Sequence, residues 1–324
     1  MSNVTDPVRG PGAAPPRPAP ASAVTNTGPW MNDKRFAVLL MVPAGVFLLG
    51  FVAWPLIRLV INSFLHLPAI AGGTTTFVGL DNYTKVFTDP VFWATAARTA
   101  VYTVIVVTLE FVIGLGTALL FNALGSRSKV FRTIFLYPLM IAPVVAGLLW
   151  RFLMIDNFGI INELLFRVGI IATPGDIGWL SNPNLALLAV AIPDIWLTTS
   201  FMTLVLFAGL QTLPDDVMEA ARLDGAKAWQ MLWRVIIPLL RPVIAVALII
   251  RGVDAMRAFD HIVIMTNGGP ENGSTVMSLL IYRTMVRFGD PGLASAMATL
   301  YLLAMLAVAA FAVATIWKPG GDDK

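Results

Sequence analysis

Four ionisable side chains recur three residues apart inside one apolar run: Arg251, Asp254, Arg257 and Asp260, with His261 next in line. Alternating signs at that spacing let each charge pair with its neighbour on one helical face. An ionised group inside a bilayer costs a few kcal/mol, so the ladder needs an account. Two readings are compatible with each other: a self-neutralised seam packed against other helices, and a polar stripe along a solute path that hydrogen-bonds hydroxyls. A second set, Asp194, Thr198 and Thr199, lies beside Pro193 and Trp196 in another apolar run. A carboxylate and hydroxyls beside an aromatic ring can grip a sugar, whereas Trp196 taken alone is more often packing. Tyr102, Glu110 and Asn122 read as polar pairing between helices. Arg and Asp together suit a neutral or an anionic sugar derivative, which leaves the charge of a solute open.

Other chemistry is poorly supported. The chain has no cysteine, which excludes disulfides and thiolate metal sites, and only two histidines, His66 and His261. It carries no G-x-x-x-x-G-K-[ST] phosphate loop, no H-E-x-x-H and no G-x-S-x-G. No catalytic residue and no metal site are expected, and no cofactor bound by the chain itself.

The elements that hold these residues are membrane spans. Of 324 residues, 57% are hydrophobic and only 13% charged, against about 25% charged in soluble domains; the mean hydropathy is +0.78. Apolar runs of spanning length cover about 36–57, 97–121, 131–154, 185–210, 242–265 and 292–317. Pro43, Pro55, Pro138, Pro143 and Pro193 fall inside them, where prolines kink membrane helices. The fold expected is an all-α integral membrane protein of about six transmembrane helices. Residues 1–35, rich in Pro, Ala and Gly, read as a disordered cytoplasmic tail, and 36–324 as the transmembrane domain. Lys and Arg gather on alternate loops, thirteen on the side of Arg127, Lys129, Arg222, Lys227 and Arg234 against seven on the other. That asymmetry predicts a multi-pass protein of the cell membrane with both termini cytoplasmic. The longer loops at about 58–96, 155–184 and 266–291 then face outward, as connectors or as a platform for a partner.

One cytoplasmic connection, 211–241, is not a simple loop. Pro214, Asp215 and Asp216 suit a helix start, and Gly225 a left-handed stop. A second helix, "AKAWQMLWRVII", is expected to follow and to end near Pro238. Its Trp and aliphatic residues suit a helix lying on the membrane, while the small residues Ala220, Ala221 and Gly225 suit close approach to another protein. Charges across 214–241 cancel, which argues against a nucleic-acid patch or a lipid-headgroup patch.

The stretch resembles the signature loop of importer permeases in the ATP-binding-cassette superfamily: Glu-Ala-Ala, three residues, Gly, nine residues, then an aliphatic pair ending in Pro. Here Glu219, Ala220, Ala221 and Gly225 match, followed by Val235, Ile236, Ile237 and Pro238. "DIWLTTSFMTLVLFAGLQTLPDDVMEAARLDGA" and "AFDHIVIMTNGGPENGSTVMSLLIYRTMVRFGDPGLASAMA" are similar to the carbohydrate branch, the maltose- and trehalose-type permeases. Ser200 departs from a proline that many relatives carry there. The resemblance implies a type I importer architecture and a coupling helix in which Glu219 contacts the ATPase and Ala220, Ala221, Asp224, Gly225 and Pro238 complete the docking element. It implies a second permease subunit, of different sequence, two ATP-binding subunits that hold ATP and Mg, and an extracytoplasmic solute-binding protein, all within membrane lipid. The alternative is a secondary carrier for a polar solute with an interfacial cytoplasmic helix; it leaves the hairpin unexplained.

Overall fold

The computed structural model describes residues 33–68 and 73–316. The tail expected over 1–35 lies outside them up to residue 32, as does the end of the chain from 317 onward. The chain divides into two compact units, Met1–Pro55 and Leu56–Lys324. In the first, α1 (Asp33–Leu48) runs into a π-helical segment, Leu49–Ala53; α2 (Trp54–Ser63) begins there and continues into the second. The Trp54 N–H bonds the Leu49 carbonyl, five residues back. Pro55 follows at once. Its ring would crowd the carbonyl of the preceding turn and it has no N–H to give, so a wider turn placed just before it removes the conflict.

The second unit is helical apart from the short antiparallel pair β1 (Leu65–His66) and β2 (Thr76–Phe77). Its helices are α3 (Asp81–Thr88), α4 (Pro90–Leu124), α5 (Lys129–Leu136), α6 (Pro143–Leu153), α7 (Ile160–Arg167), α8 (Pro183–Leu210), α9 (Asp215–Leu223), α10 (Ala228–Met231), α11 (Ile237–Met256), α12 (Asp260–Met265), α13 (Met277–Val286) and α14 (Pro291–Ile316). Among the described residues, five helical stretches are long and apolar enough to cross a membrane, and six if one bent pair counts as a span.

The bent pair is the expected span 131–154. Lys129–Met140 and Pro143–Leu153 meet at 97°. Two prolines cause the break. Pro143 forces the residue before it out of the helical region, and Ala142 is extended at φ −64°, ψ 136°. Pro138 lacks the N–H that a tight turn would give the Phe135 carbonyl; Ser200 Oγ of α8 donates to that carbonyl instead, at 2.6 Å. Ser200 therefore has a structural task beside the kink.

The spans begin where their caps allow. Asp89 Oδ1 accepts from Val91 N at 2.8 Å ahead of α4, and Asn182 Oδ1 from Asn184 N at 2.9 Å ahead of α8, each with Pro at the first helical position. The second arm of the hairpin does not end near Pro238. Leu232–Ile236 is π-helical, with Ile237 N–H bonding the Leu232 carbonyl, and the helix continues through Pro238 and Pro242 to Met256. The proline is met by the same wide turn, at the same offset, as at Pro55.

α4 and α8 pack along their lengths, with α11 against both. Two apolar cores stack along this trio. One holds Tyr102, Val106, Ala189, Val190, Ala255 and Ile262; the other holds Leu115, Ala118, Met202, Leu206, Leu240 and Ala247. The layer between them, at Glu110, Asp194 and Arg251, is polar. α6 reaches this layer through a close backbone approach, because a Cβ on Gly147 would stand 2.8 Å from His261 Cα. Gly147→Val should cost about 1–3 kcal/mol by overpacking and lower the melting temperature in detergent. Gly116→Val, at a helical glycine with open space around it, should leave the melting temperature nearly unchanged.

Candidate functional site

Arg251 is 2% exposed and sits at the centre of the polar layer. Its Nε donates to Glu110 Oε2 at 2.6 Å, and one terminal nitrogen donates to Glu110 Oε1 at 2.9 Å and to Asp194 Oδ1 at 2.7 Å. The other terminal nitrogen donates to Asp254 Oδ2 at 2.9 Å. One guanidinium thus ties α4, α8 and α11 together. Its planar fork can serve several oxygens at once, which a lysine could not match.

The shell around it is continuous. Thr198, one turn below Asp194, bonds Glu110 Oε1 and lies 2.6 Å from the Asp194 carbonyl. Tyr102 OH donates to Asp194 Oδ2 at 2.7 Å and stands 2.9 Å from His261 Nε2. A phenol that donates to the carboxylate must accept from the ring, so Nε2 carries the imidazole hydrogen. The Tyr102 and His261 rings stack at 24°.

The expected four-step ladder is therefore only partly a ladder. Arg251–Asp254 and Asp254–Arg257 pair at 2.9 and 3.4 Å, but α11 stops at Met256 and Arg257 is its cap. Asp260 opens α12 after the break and makes no ion pair with Arg257. Asp254 and Arg257 lie on the exposed edge of the cluster. Trp196 and Thr199 belong to a different face: with Trp150, Phe135 and Pro138 they line an apolar cavity of about 450 Å³, Trp196 edge-on to Trp150 at 6.1 Å. Glu110, read as polar pairing between helices, makes such a pair with Arg251. A carboxylate in the middle of α4, 0% exposed, must find a buried cation, and Arg251 is the only arginine buried within the described spans.

The hairpin is the second candidate region. Pro214 takes the N-cap of α9, and Asp215 and Asp216 fill the first turn. Gly225, at φ +77°, ends the helix: its N–H bonds the Arg222 carbonyl at 3.0 Å and the Ala226 N–H bonds the Ala221 carbonyl at 3.0 Å. This is the Schellman pattern, which needs a left-handed residue at that place. Glu219, Ala220, Asp224 and Gly225 are exposed, Ala221 and Pro238 half-buried. Glu219 and Arg222 border a cavity of about 630 Å³ together with Asn122, Gln211 and Asp215. Asn122 Oδ1 accepts from Gln211 Nε2 at 2.7 Å, closing the ends of α4 and α8 at this level.

At the opposite end the loops are internally bonded. Asn162 Nδ2 donates to the carbonyls of Asp156 and Ile177, and Trp179 Nε1 donates to Asn162 Oδ1. Arg283 donates to the Asn267 carbonyl and to Asn272 Oδ1, fixing the turn after α12. Burial holds the Arg283 pKa below its ordinary value, with Arg287 acting in the same direction.

The model of the family described as "Binding-protein-dependent transport system inner membrane component" matches residues 110–316. The chain belongs to this family. The matched region contains the hairpin and, except for Tyr102, the polar cluster. Relatives include a sulfoquinovosyl glycerol transport system permease protein of Agrobacterium fabrum, 37% identical over 87% of this chain and 90% of that protein. A trehalose/maltose transport system permease protein of Thermococcus litoralis is 34% identical over 85% and 91%. A trehalose transport system permease protein of Mycobacterium tuberculosis is 35% identical over 93% and 96%. The fold is shared with a bacterial alginate ABC transporter chain, at a TM-score of 0.75 and 23% identity, over 87% of this chain and 94% of that one. The chain is an inner-membrane permease subunit of a transport system.

Removing the central cation tests the cluster. Arg251→Ala leaves two buried carboxylates facing each other and should destabilise the protein by about 3–5 kcal/mol, read as lost yield of folded protein in detergent. Combining it with Glu110→Gln and Asp194→Asn should recover part of that yield.

Proposed function

We propose that this chain forms half of the translocation path of an ATP-driven, binding-protein-dependent importer for a sugar, polyol or glycoside. The observation that carries the reading is one continuous helix. It leaves the hairpin at Ala228 and reaches Arg251 and Asp254 without interruption, through the π-segment and α11. A displacement applied at α9 therefore arrives at the guanidinium that binds α4 and α8. Packed elements that have two arrangements convert such rigid-body motion into opening and closing.

In this reading Glu219 makes a polar contact with an ATP-binding subunit. Ala220, Ala221, Asp224 and Gly225 form the close-packed face, and Pro238 anchors the turn behind them. The nucleotide chemistry, with ATP and Mg, belongs to that partner, of which two copies serve the assembly. A second permease of different sequence supplies the other wall, and an extracytoplasmic binding protein delivers the solute. Both termini and the hairpin lie in the cytoplasm, as the Lys/Arg asymmetry favours. The relatives named for trehalose, maltose and sulfoquinovosyl glycerol support a carbohydrate substrate.

The solute meets Asp194, Thr198, Arg251, Asp254 and Arg257, with Asp260 and His261 at the edge of the path and Trp196 and Thr199 on the neighbouring apolar face. The three carboxylates of Glu110, Asp194 and Asp254 face only Arg251 and Arg257. Such a cluster favours a neutral, hydroxyl-rich solute over an anion, because Arg251 already donates to three carboxylates.

Replacing Glu219 with Ala and Gly225 with Val should uncouple the system. Gly225 has open space around it, so the cost falls on the left-handed backbone and hence on the angle between the two arms. The double variant should remain in the membrane in normal amount, lose most solute uptake, and retain less ATP-binding subunit on purification. Unchanged uptake with normal subunit retention would remove the coupling role.

A further inference from the structure

We propose that the second arm of the hairpin, Lys227 to Arg241, is a binding surface for anionic phospholipid headgroups, distinct from the docking face on α9. The charges of the hairpin are segregated. Asp215, Asp216, Glu219 and Asp224 all precede Gly225, and no acidic residue occurs between Gly225 and Val253. Lys227, Arg234 and Arg241 are exposed and have no ion-pair partner among the described residues. Net neutrality across 214–241 thus hides an acidic first arm and a basic second arm.

Length places this basic arm at headgroup depth. The helix from Ala228 to Met256 is roughly 43 Å long at 1.5 Å per residue, against about 30 Å for the hydrocarbon core. Its far end, Met256, stops inside the bundle just past the buried Arg251 layer, so at least the first two turns project beyond the hydrocarbon. Those turns carry Trp229 and Trp233, 69% and 52% exposed and edge-on to each other at 5.3 Å. Exposed indoles at a span end sit at the level of the headgroups, and Arg and Lys beside them extend toward phosphate. Arg127 and Lys129, also exposed, lie at the same end of the bundle, beyond Asn122 and its bond to Gln211. Apolar-aromatic surface flanked by cations fits a lipid with a negative headgroup better than it fits an acidic protein, which would leave the indoles in water.

The consequence is a division of labour. Lipid keeps the second arm at headgroup depth, and the docking face on α9, beyond the Gly225 turn, is left to a protein partner.

The test is retention of lipid by the full-length protein with whatever subunits purify with it. Equal amounts of phosphatidylglycerol and phosphatidylcholine are offered in mild detergent, and bound lipid is counted by native mass spectrometry. The wild type should prefer phosphatidylglycerol by up to about a hundredfold, since each of the three cations near an anionic surface is worth about fivefold. K227Q/R234Q/R241Q should abolish the preference, and W229A/W233A should weaken retention of both lipids. K85Q/R287Q, which removes cations at the opposite end, should leave the preference intact and show that fold and yield are not the cause. An unchanged preference in the triple variant overturns the proposal. So does displacement of the lipid by excess inorganic phosphate, which would mean a free-anion site. Loss of a protein subunit from the triple variant with the lipid preference intact would make the arm a protein interface instead.

Discussion

A guanidinium enclosed by membrane helices has no water to turn to, and the arrangement around Arg251 follows from that constraint. Removing an ion from water costs several kcal/mol even after relaxation, and only close, well-aligned counter-charges return it. Arg251 obtains them from three directions: Glu110 on α4, Asp194 on α8 and Asp254 on its own helix. Glu110 and Asp194, themselves buried, would be equally untenable alone. The register of α4 against α8 against α11 is thereby specified more sharply than apolar packing could specify it, since leucines tolerate sliding and a bidentate ion pair does not.

This layer also separates two apolar cores, one toward the bonded loops and one toward the hairpin. Helices joined by packing alone can shift in small increments; helices joined at a polar layer move between discrete arrangements. Such a layer fixes which arrangements of the three helices are allowed. Cost and benefit are the same feature. Asp254 and Arg257 form the exposed edge of the layer.

Prolines shape the helices around the layer. Pro138 and Pro143 break one span into two pieces at 97°. Pro55 and Pro238 do not break theirs, because a π-turn ahead of each widens the helix enough to admit the ring. The same residue type therefore produces a corner in one place and an uninterrupted lever in another. What decides is whether the preceding turn can change its hydrogen-bond register.

Much of this was legible in the residues. Apolar runs of spanning length, the signature over Glu219 to Pro238 and the left-handed stop at Gly225 are local properties, and local physics reads them: hydrophobic length, cap chemistry and backbone permissiveness need no tertiary partner. The expected spans over 97–121, 185–210 and 292–317 sit within α4, α8 and α14, apart from Trp317, which lies beyond the described residues. Ionisable residues inside the runs marked the polar layer, and spacing alone found the Arg251–Asp254 and Asp254–Arg257 pairs but not the partners on other helices. Three-residue intervals predicted pairs along one helix, whereas Arg251 took Glu110 from 141 positions away, and the end of α11 at Met256 removed Asp260 from the ladder. Partner choice between helices depends on their relative register and rotation, which no single segment encodes. The fate of each proline was likewise settled by its surroundings. The sequence by itself determined that this chain crosses a membrane and presents a coupling signature, because those follow from composition and short-range geometry. Only the tertiary structure decided which charges meet, because burial makes long-range pairing obligatory and leaves its geometry to packing.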